Sequence, residues 1–193
     1  MSPSSIDLSV IVPFSDHEDT IGAAVKRIAD HLQDWAITFE IVCVDEDSGD
    51  NSQPLLALLR KSIPALVLAT APGRGQGFAV GAAAARGRVL WLTDPVSALA
   101  PLPAAHDVYA PVAAGQVDAA MVAGAYALCR RARCLPILNR IRAADGLSAD
   151  LVRRFSRRAR ARKLTVTAEI GGEAIPKNRE GSLGRLLQAL MPL

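Results

Sequence analysis

The sequence predicts an α/β fold, a mostly parallel sheet with helices on both faces. Three observations point there. Short apolar runs recur at residues 8–12, 39–44, 65–70 and 89–93, and helical patterns separate them. Polar or glycine-rich clusters follow the carboxyl end of each run. Strands alternating with helices make a parallel sheet joined by crossovers. Ligands of such sheets bind outside the carboxyl ends of the strands, so Pro13 to Glu18, Asp45 to Asp50, Gly73 to Gly77 and Asp94 mark the expected site.

Each element has its own signal. Residues 8–12 are continuously apolar and closed by Pro13, which reads as a buried strand. Thr20 is placed to cap a helix in which Ile21, Ala24, Val25, Ile28 and Leu32 recur at helical spacing, with His31 on the outer surface. The second strand, 39–44, runs into an acidic turn, with Asp50 or Asn51 available to cap a helix built on Leu55, Leu56, Leu58 and Leu59. The third strand, 65–70, leads to Gly73-Arg74-Gly75-Gln76-Gly77, then an Ala-rich helix stopping at Gly87, then the fourth strand at 89–93.

Beyond Asp94 the pattern loosens. Residues 99–111, rich in Ala and Pro, read as a loop with at most one or two helical turns. Residues 117–130 read as one or two strands broken at Gly124. Residues 148–162 form a helix with Leu151, Val152, Phe155 and Ala159 inward and arginines outward, and 164–170 form a short strand. Ser182 caps a closing helix with Leu183, Leu186, Leu187, Leu190 and Met191 on one face. No repeat or linker divides the chain, so a single domain over residues 1–193 is expected.

Composition sets the boundaries. With 193 residues, half of them hydrophobic and 21% charged, the chain can bury a sizeable core and is not disordered. No apolar run reaches the roughly 20 residues of a membrane span. Met1 to Asp7 is polar and holds no Lys or Arg, which argues against a secretory signal. Cys43 lies mid-strand, and Cys129 and Cys134 lie among arginines without His or Cys partners for zinc, so all three are read as reduced, in a cytoplasmic protein. Walker, Cys-x-x-Cys and Gly-x-Ser-x-Gly motifs do not occur.

The net charge of +3 conceals a local excess. Seven basic residues and no acid fall between Arg153 and Lys163, and the chain without them has a balance of −4. The helix face of Arg153, Arg154, Arg157, Arg158, Arg160 and Arg162 reads either as a solvated surface or as a contact with anionic lipid headgroups at the inner face of a membrane. No nucleic-acid partner is expected, because no aromatic residues interleave the charges.

Three places can carry chemistry. Asp45 and Glu46, at the end of the second strand, are placed to accept hydrogen bonds from a ribose diol or a base N–H; the alternative is a polar turn leading into the next helix. Arg74 and Gly75-x-Gly77-x-x-x-Gly81 can bring backbone and charge close to a pyrophosphate ahead of a helix N-terminus; the alternative is a tight turn with close helix–strand contact. Asp94 suits a hard cation such as Mg²⁺ or Mn²⁺ bridging to phosphates. His17 is the histidine nearest these strand ends.

The order and spacing of three segments carry a resemblance. They are Val12-Pro13-Phe14-Ser15-Asp16 with Glu18, then Glu40-Ile41-Val42-Cys43-Val44-Asp45-Glu46-Asp47-Ser48-Gly49-Asp50, then Gly75-Gln76-Gly77-Phe78-Ala79-Val80-Gly81. As a set they resemble the family-2 glycosyltransferases with the GT-A fold, a group that includes polyprenyl-phosphate sugar transferases. The resemblance implies that Pro13, Asp45 or Glu46, Arg74 and Gly75 surround a UDP- or GDP-linked sugar, with Asp94 and a Mg²⁺ or Mn²⁺ ion near its diphosphate. Residues 6–95 would be the nucleotide-sugar-binding half and 96–193 a reduced acceptor half.

The match departs from the family's pattern in places. Leu92-Thr93-Asp94-Pro95-Val96 keeps one carboxylate of the Asp-x-Asp metal motif, and Glu46 and Asp47 stand where Asp and Gly are usual. Gly124 to Arg131 and Arg179 to Ser182 resemble later family segments. Asp150 stands where the family's catalytic base precedes a helix; its alternative is a first-turn acid on the helix dipole. The implied function is inverting transfer of a sugar to an acceptor hydroxyl. The alternative is a non-catalytic relative serving as a binding or regulatory partner.

Overall fold

The computed structural model describes residues 5–99, 105–122, 126–143, 148–170 and 173–175. The expected break at Gly124, the segment 179–182 and the closing helix lie outside the described residues. The first half runs β1 (Leu8–Phe14), α1 (Ile21–Gln33), β2 (Phe39–Asp45), α2 (Ser52–Leu59), β3 (Leu66–Thr70), α3 (Gly77–Ala84) and β4 (Val89–Leu92). The second half adds α4 (Pro95–Leu99), α5 (Ala105–Ala113), β5 (Ala119–Val122), β6 (Tyr126–Arg130), α6 (Arg131–Leu138), α7 (Ala149–Ala161), β7 (Val166–Ile170) and β8 (Glu173–Ile175).

The eight strands among the described residues join in one sheet, in the order β3-β2-β1-β4-β6-β5-β7-β8. The chain builds outward from β1 through β2 to β3, then crosses back to place β4 on the other side of β1. That reversal makes the crevice between the carboxyl ends of β1 and β4 the topological switch point, where such sheets bind ligands. β6 pairs antiparallel with both β4 and β5, so the sheet is mixed, with parallel pairing around the switch point and again between β5 and β7.

Side chains alternate across the central strands as the pleat requires. Leu8, Val10, Val12 and Phe14 of β1, with Ile41 and Cys43 of β2, pack one core with α1, Leu56 of α2 and Val108 and Val112 of α5. Ile11, Val42 and Val44 face the other core, with Phe78 and Ala82 of α3, Ile137 of α6 and Leu151 and Phe155 of α7. The expected inward residues of α1 and α7 are the buried ones. Ser148 caps α7 by accepting a hydrogen bond from the Leu151 amide at 3.3 Å.

Several expectations change. β1 does not stop at Pro13 but continues to Phe14. Pro13 points its main-chain groups to the same side as Ile11, whose carbonyl accepts the last bond from that side, the Thr93 amide at 3.1 Å. The missing N–H therefore falls beyond the β4 ladder and costs nothing. Thr20 precedes α1, but its side chain does not cap the helix. Residues 105–113 form α5 despite Pro111, because Ala105, Val108, Tyr109 and Val112 bury one face. The helix α6 has no counterpart among the expected elements.

His31 is half-buried, not on the outer surface. Its ring lies edge-on to Trp35 at 5.4 Å and Trp91 at 6.4 Å, and those indoles stack on each other at 5.9 Å. Burial, then the positive charge of Arg27, lowers its pKa from 6.5, while Asp34 pulls the other way. The unfolded chain thus takes up this proton at a higher pH than the folded one, so stability falls as pH drops below 6.5. We expect a lower urea midpoint at about pH 5.5 than at about pH 7.5, and His31→Gln to flatten that difference. An unchanged slope in the variant would locate the effect elsewhere.

Candidate functional site

A cleft of about 300 Å³ opens at the switch point, lined by Pro13, Phe14, Ser15 and His17 after β1, Glu46 after β2, Arg74 and Phe78 around the glycine loop, Asp94 and Pro95 after β4, and Ala143. Four of the residues expected from the sequence, Pro13, Glu46, Arg74 and Asp94, therefore meet in one place. Asp45, Gly75 and Asp150 do not line it.

The wall made by the loops after β1 and β2 is laced together. Asp16 Oδ1 accepts the Gly49 amide at 2.7 Å, and Ser48 Oγ accepts the Asp16 amide at 3.1 Å. Asp50 Oδ2 accepts the Glu18 amide at 2.9 Å, and Glu18 Oε2 accepts the Asn51 amide at 2.9 Å. Ser52 Oγ accepts the His17 amide at 3.0 Å. The acidic turn that looked like a ligand cluster is in large part this lattice. Asp50 Oδ1 also accepts the Ser52 amide at the start of α2, in keeping with the capping alternative.

Asp45 is nearly buried and shapes the turn, its Oδ1 accepting the Ser48 amide at 2.9 Å. Asp47 between them is left-handed, with φ 70°. Glycine takes that conformation freely and Asp tolerates it, which is why Asp can stand where the family motif has Gly. Glu46 is also nearly buried, and its Oε1 accepts the Gly77 amide at the first residue of α3.

That contact revises the reading of the glycine loop. The first amide of α3 already holds a carboxylate, so this helix N-terminus is not an open phosphate cradle. A Cβ on Gly77 would lie 2.5 Å from Pro13 Cβ, and one on Gly81 2.3 Å from Ile11 Cγ2. These glycines let α3 press onto β1, which is the close helix–strand alternative. Gly75 is left-handed at φ 76°, and its carbonyl accepts the Ala143 amide at 3.0 Å. Arg74 is exposed and pairs with Asp16 Oδ2 at 3.2 Å, leaving its guanidinium at the cleft's edge.

Asp94 caps α4. Its Oδ1 accepts the Val96 and Ser97 amides at 3.1 and 2.9 Å, and its Oδ2 accepts Ser97 Oγ at 2.7 Å. A carboxylate has about four acceptor positions, so three of them are committed. No group of three or more His, Cys, Asp or Glu among the described residues could hold a metal ion. The described donor set does not fit a protein-held cation. Asp150 lies exposed in the first turn of α7, paired with Arg154 Nε at 2.7 Å.

His17 needed the structure to become specific. Its Nδ1 lies 2.7 Å from the Ser15 carbonyl, which can only accept, so Nδ1 carries a proton and the neutral ring keeps its lone pair on Nε2. Phe14 lies in the expected Pro13 to Glu18 segment, whereas Phe78 and Ala143 were not anticipated in the cleft.

A model of glycosyl transferase family 2 matches residues 9–172. The chain belongs to this family. Among solved structures, the mannosyltransferase PcManGT from Pyrobaculum calidifontis, in complex with GDP-Man and Mn²⁺, is similar at TM-score 0.59 and 17% identity, over 89% of this chain and 57% of that one. Mannosyl-3-phosphoglycerate synthase from Rubrobacter xylanophilus is similar at TM-score 0.50 and 19% identity, over 61% of this chain and 40% of that one. The likeness establishes the GT-A fold, and this family-2 chain spans 57% of the first relative's length and 40% of the second's. A comparison with curated sequences found no significant match.

Proposed function

We propose that the cleft binds a nucleoside-diphosphate sugar and that the protein transfers the sugar to an acceptor hydroxyl with inversion, in the cytoplasm. The observation that carries this reading is the meeting of Glu46, Arg74 and Asp94 at the switch point of a family-2 fold. The GDP-Man complex of the Pyrobaculum enzyme supports a nucleotide sugar as the ligand. Reduced, buried cysteines support the location.

In this reading Pro13 and Phe14 floor the nucleotide pocket, Glu46 Oε2 accepts from a base or ribose donor, and Arg74 faces the diphosphate. Asp45 and Gly75 act from behind by fixing the turn and the glycine loop. In the transfer, the acceptor oxygen bonds to the anomeric carbon while the bond to the diphosphate oxygen breaks, and the nucleoside diphosphate leaves with the electron pair. Asp150 is assigned the hydroxyl proton, which requires the first turn of α7 to come against the acceptor.

Calorimetric titration with UDP and GDP tests the binding. Micromolar affinity for one of them is expected, weakened at least about tenfold by Arg74→Ala, since a charge-assisted contact contributes about 1.5–3 kcal/mol. With the donor set described, Mn²⁺ is expected to change that affinity by less than about threefold. Failure of both nucleotides to bind would remove the proposal. One observation favours a second reading, binding without turnover: the single carboxylate of the metal motif is committed to capping α4. Release of nucleoside diphosphate from a donor sugar by the purified protein would exclude it.

A further inference from the structure

Residues 131–163 hold 11 of the chain's 22 basic residues and 2 of its 19 acidic ones, which leaves the rest of the chain six charges negative. The structure turns this sequence asymmetry into a surface. α6 and α7 pack together on one face of the sheet, with Leu151, Val152, Phe155 and Ala159 turned into the core. Arg133, Arg140, Arg142, Arg153, Arg157, Arg158, Arg160, Arg162 and Lys163 are all exposed. At 100° per residue, Arg153, Arg157 and Arg160 fall within about 60° of one another, opposite the buried stripe of α7.

Among the described residues, acids neutralise little of this face. Asp118 takes Arg130 and Arg133, and Asp150 takes Arg154. Arg140, Arg142, Arg153, Arg157, Arg158, Arg160, Arg162 and Lys163 have no acidic partner there. Holding so many like charges on one layer is unfavourable unless a counter-charge covers them.

We propose that the α6–α7 face docks the protein on an anionic lipid bilayer. A bilayer offers a broad, laterally mobile anionic plane that complements charges spread over two helices and both their ends. Each Arg near such a surface adds to the attraction. The aromatic side chains that a single-stranded nucleic acid would stack upon are elsewhere: Phe155 points into the core, and Trp35, Trp91, Tyr109 and Tyr126 pack on the opposite face of the sheet.

The docking face is tied to the cleft. The segment after α6 reaches the glycine loop through the Ala143 amide on the Gly75 carbonyl at 3.0 Å, and Arg154 Nη2 donates to the Arg142 carbonyl at 3.0 Å. A protein seated on this face carries the cleft rim at the lipid surface, within reach of an acceptor held there. That consequence rests on the transferase reading. The docking itself does not, and it is read without nucleotide, so the two fail separately.

Co-sedimentation with phosphatidylcholine vesicles, with and without about 30% phosphatidylglycerol, tests it at about 0.1 M salt. Binding is expected only to the anionic vesicles, and Arg153→Gln, Arg157→Gln and Arg160→Gln together are expected to weaken it about 100-fold. These side chains are exposed, so an unchanged thermal midpoint certifies the fold of the variant. Equal sedimentation with neutral vesicles, or a triple variant that binds as the wild type does, would overturn the proposal. A single-stranded RNA bound at lower protein concentration than the anionic vesicles would also overturn it, with nucleic acid as the partner of this face.

Discussion

Glu40→Ala is expected to cost about 3 kcal/mol of stability, because it removes the buried half of an ion pair and leaves its donors unmatched. Glu40 sits almost without solvent contact on β2. Its Oε1 accepts Ser9 Oγ and the Arg86 amide, both at 2.6 Å, and its Oε2 accepts Arg86 Nε and Nη2 at 2.9 and 2.7 Å. Ser9 Oγ in turn accepts the Gly87 amide at 2.8 Å. One carboxylate thus ties two central strands to the connection between α3 and β4.

Burial raises the pKa of Glu40, but the bonds from Ser9 and Arg86 outweigh it and bring the value below 4.5. The stability it contributes is therefore present above pH 4.5 and lost as pH falls through the lowered folded value. Urea denaturation at about pH 7 should show the full loss in Glu40→Ala and a smaller loss in Glu40→Gln, which keeps one acceptor. A wild-type midpoint in the Ala variant would mean the cluster does not hold the strands.

The second large effect is expected from Gly81→Ala, at about 2 kcal/mol, since a methyl group there overpacks a filled core. The added Cβ would lie 2.3 Å from Ile11 Cγ2 and 3.1 Å from Val44 Cγ2, on side chains with no solvent exposure. Its neighbour one turn earlier, Gly77, meets Pro13 in the same way, so the two form a seam along which α3 touches β1. Ile11→Ala removes the colliding carbon. The double variant should therefore be more stable than the sum of the single losses predicts, by 1 kcal/mol or more in a double-mutant cycle (~1–2 kcal/mol). Strict additivity would sink the packing account.

The parallel half of the fold was legible because β1, β2 and β4 are buried on both faces, and doubly buried strands read as continuous apolar runs. β3, half-buried at the sheet edge, was legible from its own short apolar run. The switch point followed from their alternation with helices, and with it the meeting of Pro13, Glu46, Arg74 and Asp94. Where the sequence misled, a tertiary contact had overridden a local signal. Pro111 argues for a loop, yet the buried face of Ala105, Val108, Tyr109 and Val112 holds α5 together. His31 sits beyond the apolar stripe of α1 on a helical wheel, but Trp35 and Trp91 fold over it.

The acidic residues were the hardest to read. Asp16, Glu18, Asp45 and Asp50 look like a ligand cluster in sequence, yet Asp16, Glu18 and Asp50 each accept an amide of the neighbouring loop and Asp45 one of its own turn. Glu46 was placed in the cleft, but its bond to Gly77 depends on how α3 docks, which no local pattern encodes. Asp94 shows why one carboxylate is ambiguous: the residue type that suits a cation also suits a helix cap.

The two oxygens of Asp16 answer to different loops, Oδ1 to the Gly49 amide and Oδ2 to Arg74. A diphosphate that takes Arg74 displaces only the second contact, an exposed pair contributing about 1 kcal/mol or less. The first contact keeps the wall standing throughout. In the proposed reading, capture of an anionic ligand is then a swap of counter-ions on one guanidinium, as in ion exchange.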